Sequence, residues 1–237
     1  MEKSLSLYHS GRLAEAIVEL GAELRKQPAS IKLRTFLFEL LCFAGEFDRA
    51  AKQLDVLAEQ DPKVELAAVL YRNLLQSHRQ RENVFASGVE PVDVDETVSS
   101  VRINGRSYES CEDEDVRIGY SLEVYVNGVY RRIPFREITQ MKIEKPSTLR
   151  DLFWIPAVIG VKEDSQFAEI GSHVYLPALA PSSWKHNDDA VRLGRTSVIE
   201  ENENGVAIPY GAKLLICGDT EIPLLEVREL LFVPGEE

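Results

Sequence analysis

The stretch GEFDRAAKQLDVLAEQDP, Gly45 to Pro62, repeats an earlier one, GRLAEAIVELGAELRKQP, Gly11 to Pro28. Aligned without a gap, Gly11 falls on Gly45, Ala16 on Ala50, Leu20 on Leu54 and Pro28 on Pro62, an offset of 34 residues each time. A glycine permits the sharp turn between two antiparallel helices, and a small alanine lets those helices approach closely. The proline then stops the second helix. Between them Phe47, Ala50, Ala51, Leu54, Leu57 and Ala58 recur at three and four, which predicts one apolar face of a helix.

An offset of 34 is the tetratricopeptide period. The segment before the second copy, Ile31 to Phe43, is apolar nearly all round and is expected in the middle of a stack. Leu5, Leu7 and Tyr8 can form the last turns of an opening helix, and Leu66, Val69, Leu70, Leu74 and Leu75 supply a closing one. That makes about one and a half repeats plus a closing helix, fewer than the roughly three that such arrays need alone. The array is therefore expected to lean on the rest of the chain.

Composition narrows the class. The chain has 237 residues and an apolar share of 44%, enough for real cores. It contains no run of 18 apolar residues and no signal-peptide core at MEKSLSLYHS, so a soluble protein that stays in the cytoplasm is expected. Three scattered cysteines, Cys42, Cys111 and Cys217, suggest reduced structural thiols. Residues 1–90 carry 12 Lys and Arg against 13 Asp and Glu, and residues 91–237 carry 15 against 26. This acidic second part excludes a nucleic-acid backbone as partner and suits a basic protein surface.

From about Val98 the apolar period switches from helical to two. Asn104-Gly105 and Asn127-Gly128, each flanked by strand-like residues, predict two type I′ hairpins. Further strands are expected at Val174 to Leu176, Lys213 to Cys217 and Ile222 to Phe232. Pro134, Pro156, Pro177, Pro209 and Pro223 should be confined to edges or strand ends. The fold class is α+β: tetratricopeptide-like antiparallel helices over 1–90, then an antiparallel β-rich acidic domain over 91–237, with the boundary in Ser87 to Thr97.

No constellation of residues points to catalysis. Glu109, Glu112, Asp113, Glu114 and Asp115 could hold a hard cation, but their spacing fits no EF-hand loop and a solvated acidic loop or docking patch is the favoured reading. His173, His186, Asp188, Asp189, Ser182 and Ser183 join in no known motif. LRDLFWIPA, Leu149 to Ala157, has two readings: an exposed aromatic hot spot, or, as favoured, a buried corner with Trp154 in the core. No catalytic residue, metal or cofactor is expected.

FLFELLCFAGEFDRAAKQLDVLA, VFASGVEP, LEVYVNGVYRRIPFREI and LRDLFWIPA, taken in order, resemble the ImpE family, also called TagJ, of bacterial type VI secretion. The likeness covers most of the chain and implies a non-catalytic cytoplasmic adaptor. Its implied partners are the N-terminal helix of a TssB-type sheath subunit and a ClpV-type disassembly ATPase, with no nucleic acid or membrane. Two stretches depart from the family pattern: IPYGAK, Ile208 to Lys213, where a Gly-Gln-Arg phrase is expected, and Pro181 to Asn204. A tetratricopeptide register would turn Leu5, Tyr8, Lys32, Thr35, Glu39, Leu66, Val69 and Asn73 toward a partner-binding groove. A general tetratricopeptide adaptor outside secretion, or an enzyme with a site in the acidic β domain, are the alternatives.

Overall fold

The computed structural model describes residues 1–60, 62–88 and 100–232. Its helices are α1 (Glu2–His9), α2 (Leu13–Lys26), α3 (Ile31–Phe43), α4 (Phe47–Gln60) and α5 (Pro62–Ala86). The repeated phrase dictates this layout. Gly11 and Gly45 turn the chain with φ of +76° and +72°, where a Cβ would be strained. The aligned pairs Leu13/Phe47, Ala16/Ala50 and Leu20/Leu54 are all buried, and Ser30 caps α3 by accepting from the Leu33 N–H. Pro62, at the end of the second copy, is the first residue of α5, a position where its missing N–H costs nothing.

The second part is antiparallel β throughout the described residues. One eight-stranded sheet runs β2 (Arg106–Tyr108), β1 (Val101–Ile103), β13 (Glu229–Phe232), β6 (Ile138–Ile143), β7 (Trp154–Val161), β8 (His173–Pro177), β4 (Ser121–Val126), β5 (Val129–Pro134). A three-stranded sheet is ordered β12 (Thr220–Pro223), β11 (Leu214–Cys217), β3 (Glu112–Asp113), and β9 (Ser197–Glu201) pairs with β10 (Ala207–Gly211). Both Asn-Gly hairpins form with two-residue loops, Ile103 opposite Arg106 and Val126 opposite Val129. In each, Asn and Gly both take positive φ, as a type I′ turn requires.

Three expectations need correction. Cys111 and Cys217 are joined in a disulfide, because the β3–β11 register sets them opposite each other with Cα atoms 4.0 Å apart; Cys42 alone is a free, buried thiol. Pro156 lies inside β7, between β6 and β8, where the ladder to β6 begins only at Ala157. Ile222 to Phe232 is not one strand: a 3-10 turn over Leu224–Glu226 separates β12 from β13. Of the boundary stretch Ser87 to Thr97, residues 89–97 lie outside the described residues.

The helices are not an independent array. Their core includes Tyr125, Phe153, Trp154, Leu179 and Leu193 from the β part. Trp154 stacks on Phe38 at 6.2 Å and Phe153 meets Phe43 edge-on at 5.1 Å. A second core lies within the β part, between residues such as Leu122, Val124 and Ile155 of the large sheet and Leu215 of the small one. Strand alternation explains why β4 is buried on both faces: Leu122 and Val124 enter the second core, while Tyr125 joins the helical one.

The unmatched stretch from Pro181 onward straps the two parts together. Arg195 donates to the Tyr8 and His9 carbonyls that end α1, Asp189 accepts from the Ala14 N–H at the start of α2, and Arg192 donates to the Ala44 carbonyl. Each bond reaches a backbone group at a helix end. Trp184 lies against the Gly45 turn, and its Nε1–H donates to Glu82 of α5 at 2.9 Å.

Candidate functional site: a groove between the helices and the sheet

An open groove of about 750 Å³ lies between α1 and α3 on one side and residues 146–152 of the β part on the other. Leu5, Tyr8, Lys32, Thr35, Phe36 and Glu39 form the helical wall, and Leu149 and Leu152 stand among the lining residues opposite. Helical geometry explains the helical wall, since residues three and four apart on α3 share a face. The other wall is a 3-10 turn over Leu149–Leu152 held by a capping box between Thr148 and Asp151. Asp151 also accepts from the Ser147 and Thr148 N–H groups at 2.8 and 2.9 Å. The lip is therefore pre-formed.

Five of the eight residues expected to face a partner come together here: Leu5, Tyr8, Lys32, Thr35 and Glu39. Leu66, Val69 and Asn73 do not line this groove. Leu66 and Val69 are exposed on α5, and the Asn73 side chain lies against the Gly128 hairpin turn. At Asn73 α5 is met by the hairpin between β4 and β5, and the groove's second wall comes from residues 146–152. Of the two readings of LRDLFWIPA the buried corner holds, since Phe153 and Trp154 are both buried, while the neighbouring Leu149 and Leu152 line the groove. Sequence periodicity missed the lip because a four-residue turn has no period to detect.

Glu39 is the unusual titrating group of this wall. Burial pushes its carboxyl up to about 7, against the opposing pull of Arg150, whose Nε lies 3.2 Å away. A carboxyl raised in the folded state contributes stability below its unfolded value of about 4.3 and loses it as pH rises through the folded value. The protein should therefore lose stability between about pH 4.5 and 7.5 through this group. Glu39→Gln is expected to flatten that part of the stability–pH curve and to stabilise at pH 8 by about 1–3 kcal/mol. Urea melts of both proteins from pH 4.5 to 8 would check it; parallel curves would contradict the assignment.

Where α5 packs on β4 lies a buried charge network. Arg81 makes two 2.7 Å bonds to Glu123, Lys213 approaches Glu123 at 2.6 Å and Asp113 at 2.5 Å, and the Tyr130 hydroxyl donates to Glu123 at 2.8 Å. Burial alone would raise the Glu123 pKa, but Arg81 and Lys213 together hold it well below the ordinary carboxylate range. Burial pushes Asp113 up to about 6 in spite of Lys213, and lowers His78, bonded to the Tyr125 hydroxyl at 2.9 Å, to about 4.

This network corrects the reading of the acidic stretch as a solvated loop. Asp113 and Asp115 are buried, one paired with Lys213 and the other with Arg117. Lys213 of the divergent IPYGAK phrase is the counter-charge of Asp113. The scattered polar residues also have separate employment: His186 faces Glu200, Asp188 caps a short helix over Asp189–Arg192, and Ser182 bonds Glu82. Among the described residues no group of three or more His, Cys, Asp or Glu is placed to hold a metal ion.

Fold and groove together define a tetratricopeptide-type helical scaffold docked on an antiparallel β domain. Residues 7–77 match the tetratricopeptide repeat and residues 105–231 match the family described as ImpE protein. The chain belongs to the ImpE family. It is 30% identical to the type VI secretion system accessory component TagJ of Pseudomonas aeruginosa, over 97% of this chain and 91% of that one. A crystal structure of a Vibrio parahaemolyticus protein superposes with a TM-score of 0.84 over 98% of both chains at 19% identity, the same fold. No helix among the described residues is long and apolar enough to cross a membrane.

Proposed function

We propose that this protein is a non-catalytic, cytoplasmic adaptor of the type VI secretion sheath. Its groove takes the N-terminal helix of a TssB-type sheath subunit, and the bound adaptor helps recruit a ClpV-type ATPase. The observation that carries the reading is the groove itself: it is open and largely apolar, with Lys32 and Glu39 as polar fixing points. The name of the Pseudomonas relative supplies the secretion context. A helix burying on the order of 500 Å² of apolar surface would gain about 12 kcal/mol at ~25 cal/mol per Å². Ordering and immobilising the peptide offsets much of this, leaving affinity of about micromolar order. Such reversible binding suits an adaptor.

Leu5→Asp combined with Leu152→Asp would put charge on both groove walls and is expected to weaken binding by tenfold or more. Val69→Asp, outside the groove, is the control and should leave binding unchanged. Calorimetry with a synthetic sheath N-terminal peptide reads the effect, with circular dichroism confirming the fold of each variant. A folded double variant that binds like the parent would remove the groove assignment. A parent that binds no sheath peptide would remove the secretion reading and leave a general tetratricopeptide adaptor.

A further inference from the structure

The two ends of the groove differ in charge. Lys32 and Glu39 share one face of α3 and stand about 10 Å apart along its axis, at about 1.5 Å per residue. Lys32 is exposed, and among the described residues no acid pairs with it. It lies in the first turn of α3, where open backbone N–H groups already carry positive partial charge. At the other end Glu39 has Arg150 as its counter-charge and Asp151 close enough to push its carboxyl up. Two carboxyls face one guanidinium there, and above pH 7, where Glu39 is ionised, they leave that end with excess negative charge. Above that pH the groove therefore runs from positive to negative along α3.

A bound helix carries its own dipole, positive at its N-terminus and negative at its C-terminus. We infer that the groove's occupant is an amphipathic helix laid antiparallel to α3, with its N-terminal end beside Glu39 and an acidic residue of its C-terminal half beside Lys32. The inference rests on the proposal that this groove binds a helix, and adds to it a direction and a charge. In the parallel orientation the helix would set its positive end against Lys32 and the N-terminus of α3, and its negative end against Glu39 and Asp151. Both contacts would then be repulsive. The apolar wall of Leu5, Phe36, Leu149 and Leu152 is indifferent to direction, so these end charges select it.

The probe is a synthetic amphipathic helix of about 18 residues, roughly five turns, held helical by a lactam bridge. It carries leucines on one face, one Glu in its C-terminal half and a nitroxide at its N-terminus. Bound to the full chain above pH 7, it is expected to broaden the amide resonances of Glu39 and Leu40 more strongly than those of Ile31 to Leu33. Lys32→Glu should weaken this peptide by about fivefold to tenfold and its Glu→Gln version, which keeps only the helix dipole, by less. Stronger broadening at Ile31 to Leu33, or equal broadening at both ends, would overturn the direction while leaving the groove as a helix site. An unmoved affinity in Lys32→Glu would overturn the charge assignment. Absence of any broadening around the groove would remove the helix-binding reading and this inference with it.

Discussion

Replacing Arg81 with Met is expected to lower the free energy of unfolding by about 3–5 kcal/mol, the cost of leaving one member of a buried ion pair alone. Arg81 and Glu123 are both fully shielded from solvent. The guanidinium also donates to the Leu179 carbonyl at 3.0 Å, so its loss strands a second acceptor. Lys213 would remain beside Glu123, but it is shared with Asp113 and cannot replace a two-bond contact. The double variant Arg81→Met with Glu123→Leu should recover much of the loss, since it removes both buried charges and leaves Lys213 paired with Asp113. Urea unfolding of the single and double variants measures this. A single-variant loss below about 1 kcal/mol would mean the network is hydrated rather than buried.

Gly45→Val should be the second costly change, and its cost should exceed that of the matching change at Gly11. Both glycines have left-handed backbones, where a side chain costs about 1–2 kcal/mol. At Gly11 a new Cβ would come no nearer than 3.5 Å to Arg195, an ordinary contact. At Gly45 it would lie 2.2 Å from the Trp184 ring, with two further ring atoms within 2.8 Å. Trp184 cannot simply swing away, because its N–H is bonded to Glu82 and its ring packs edge-on against Phe47 at 6.0 Å. Overpacking adds about 1–3 kcal/mol. Trp184→Ala should therefore bring the cost of Gly45→Val down to that of Gly11→Val, and equal losses at the two glycines in the parent background would contradict the contact.

These two variants probe features that differ in how legible they are from sequence. The Gly-to-Pro phrase is local and repeated, so its turns, buried alanines and helical period can be read directly. The Asn-Gly hairpins are equally local, because two residues set the register of a whole strand pair. What joins the parts is long-range. Nothing near Arg81 in sequence announces Glu123, 42 positions away, and nothing near Gly45 announces Trp184. Pro181 to Asn204 matches no familiar pattern because its task is to reach back with single side chains, Arg192 and Arg195, to helix ends more than 140 positions earlier. Single hydrogen bonds leave no periodic trace.

The groove shows the same division. Its helical wall follows from α3 periodicity, which brings Lys32, Thr35 and Glu39 onto one face. Its other wall does not, since Leu149 and Leu152 reach it only through the docking of Phe153 and Trp154 into the helical core. Leu66 and Val69 belong to a wall that a regular repeat array would have supplied. In this chain residues 146–152 of the β part line the groove, and α5 does not.

Photo-crosslinking tests the groove assignment most directly. A photoreactive residue placed at Thr35 or at Leu149, in separate variants of the full chain, is expected to capture the N-terminal helix of the sheath subunit from both walls, while the same residue at Leu66 or Val69 captures none. Capture from Leu66 and Val69 with none from Thr35 and Leu149 would contradict the account and return the binding face to α5.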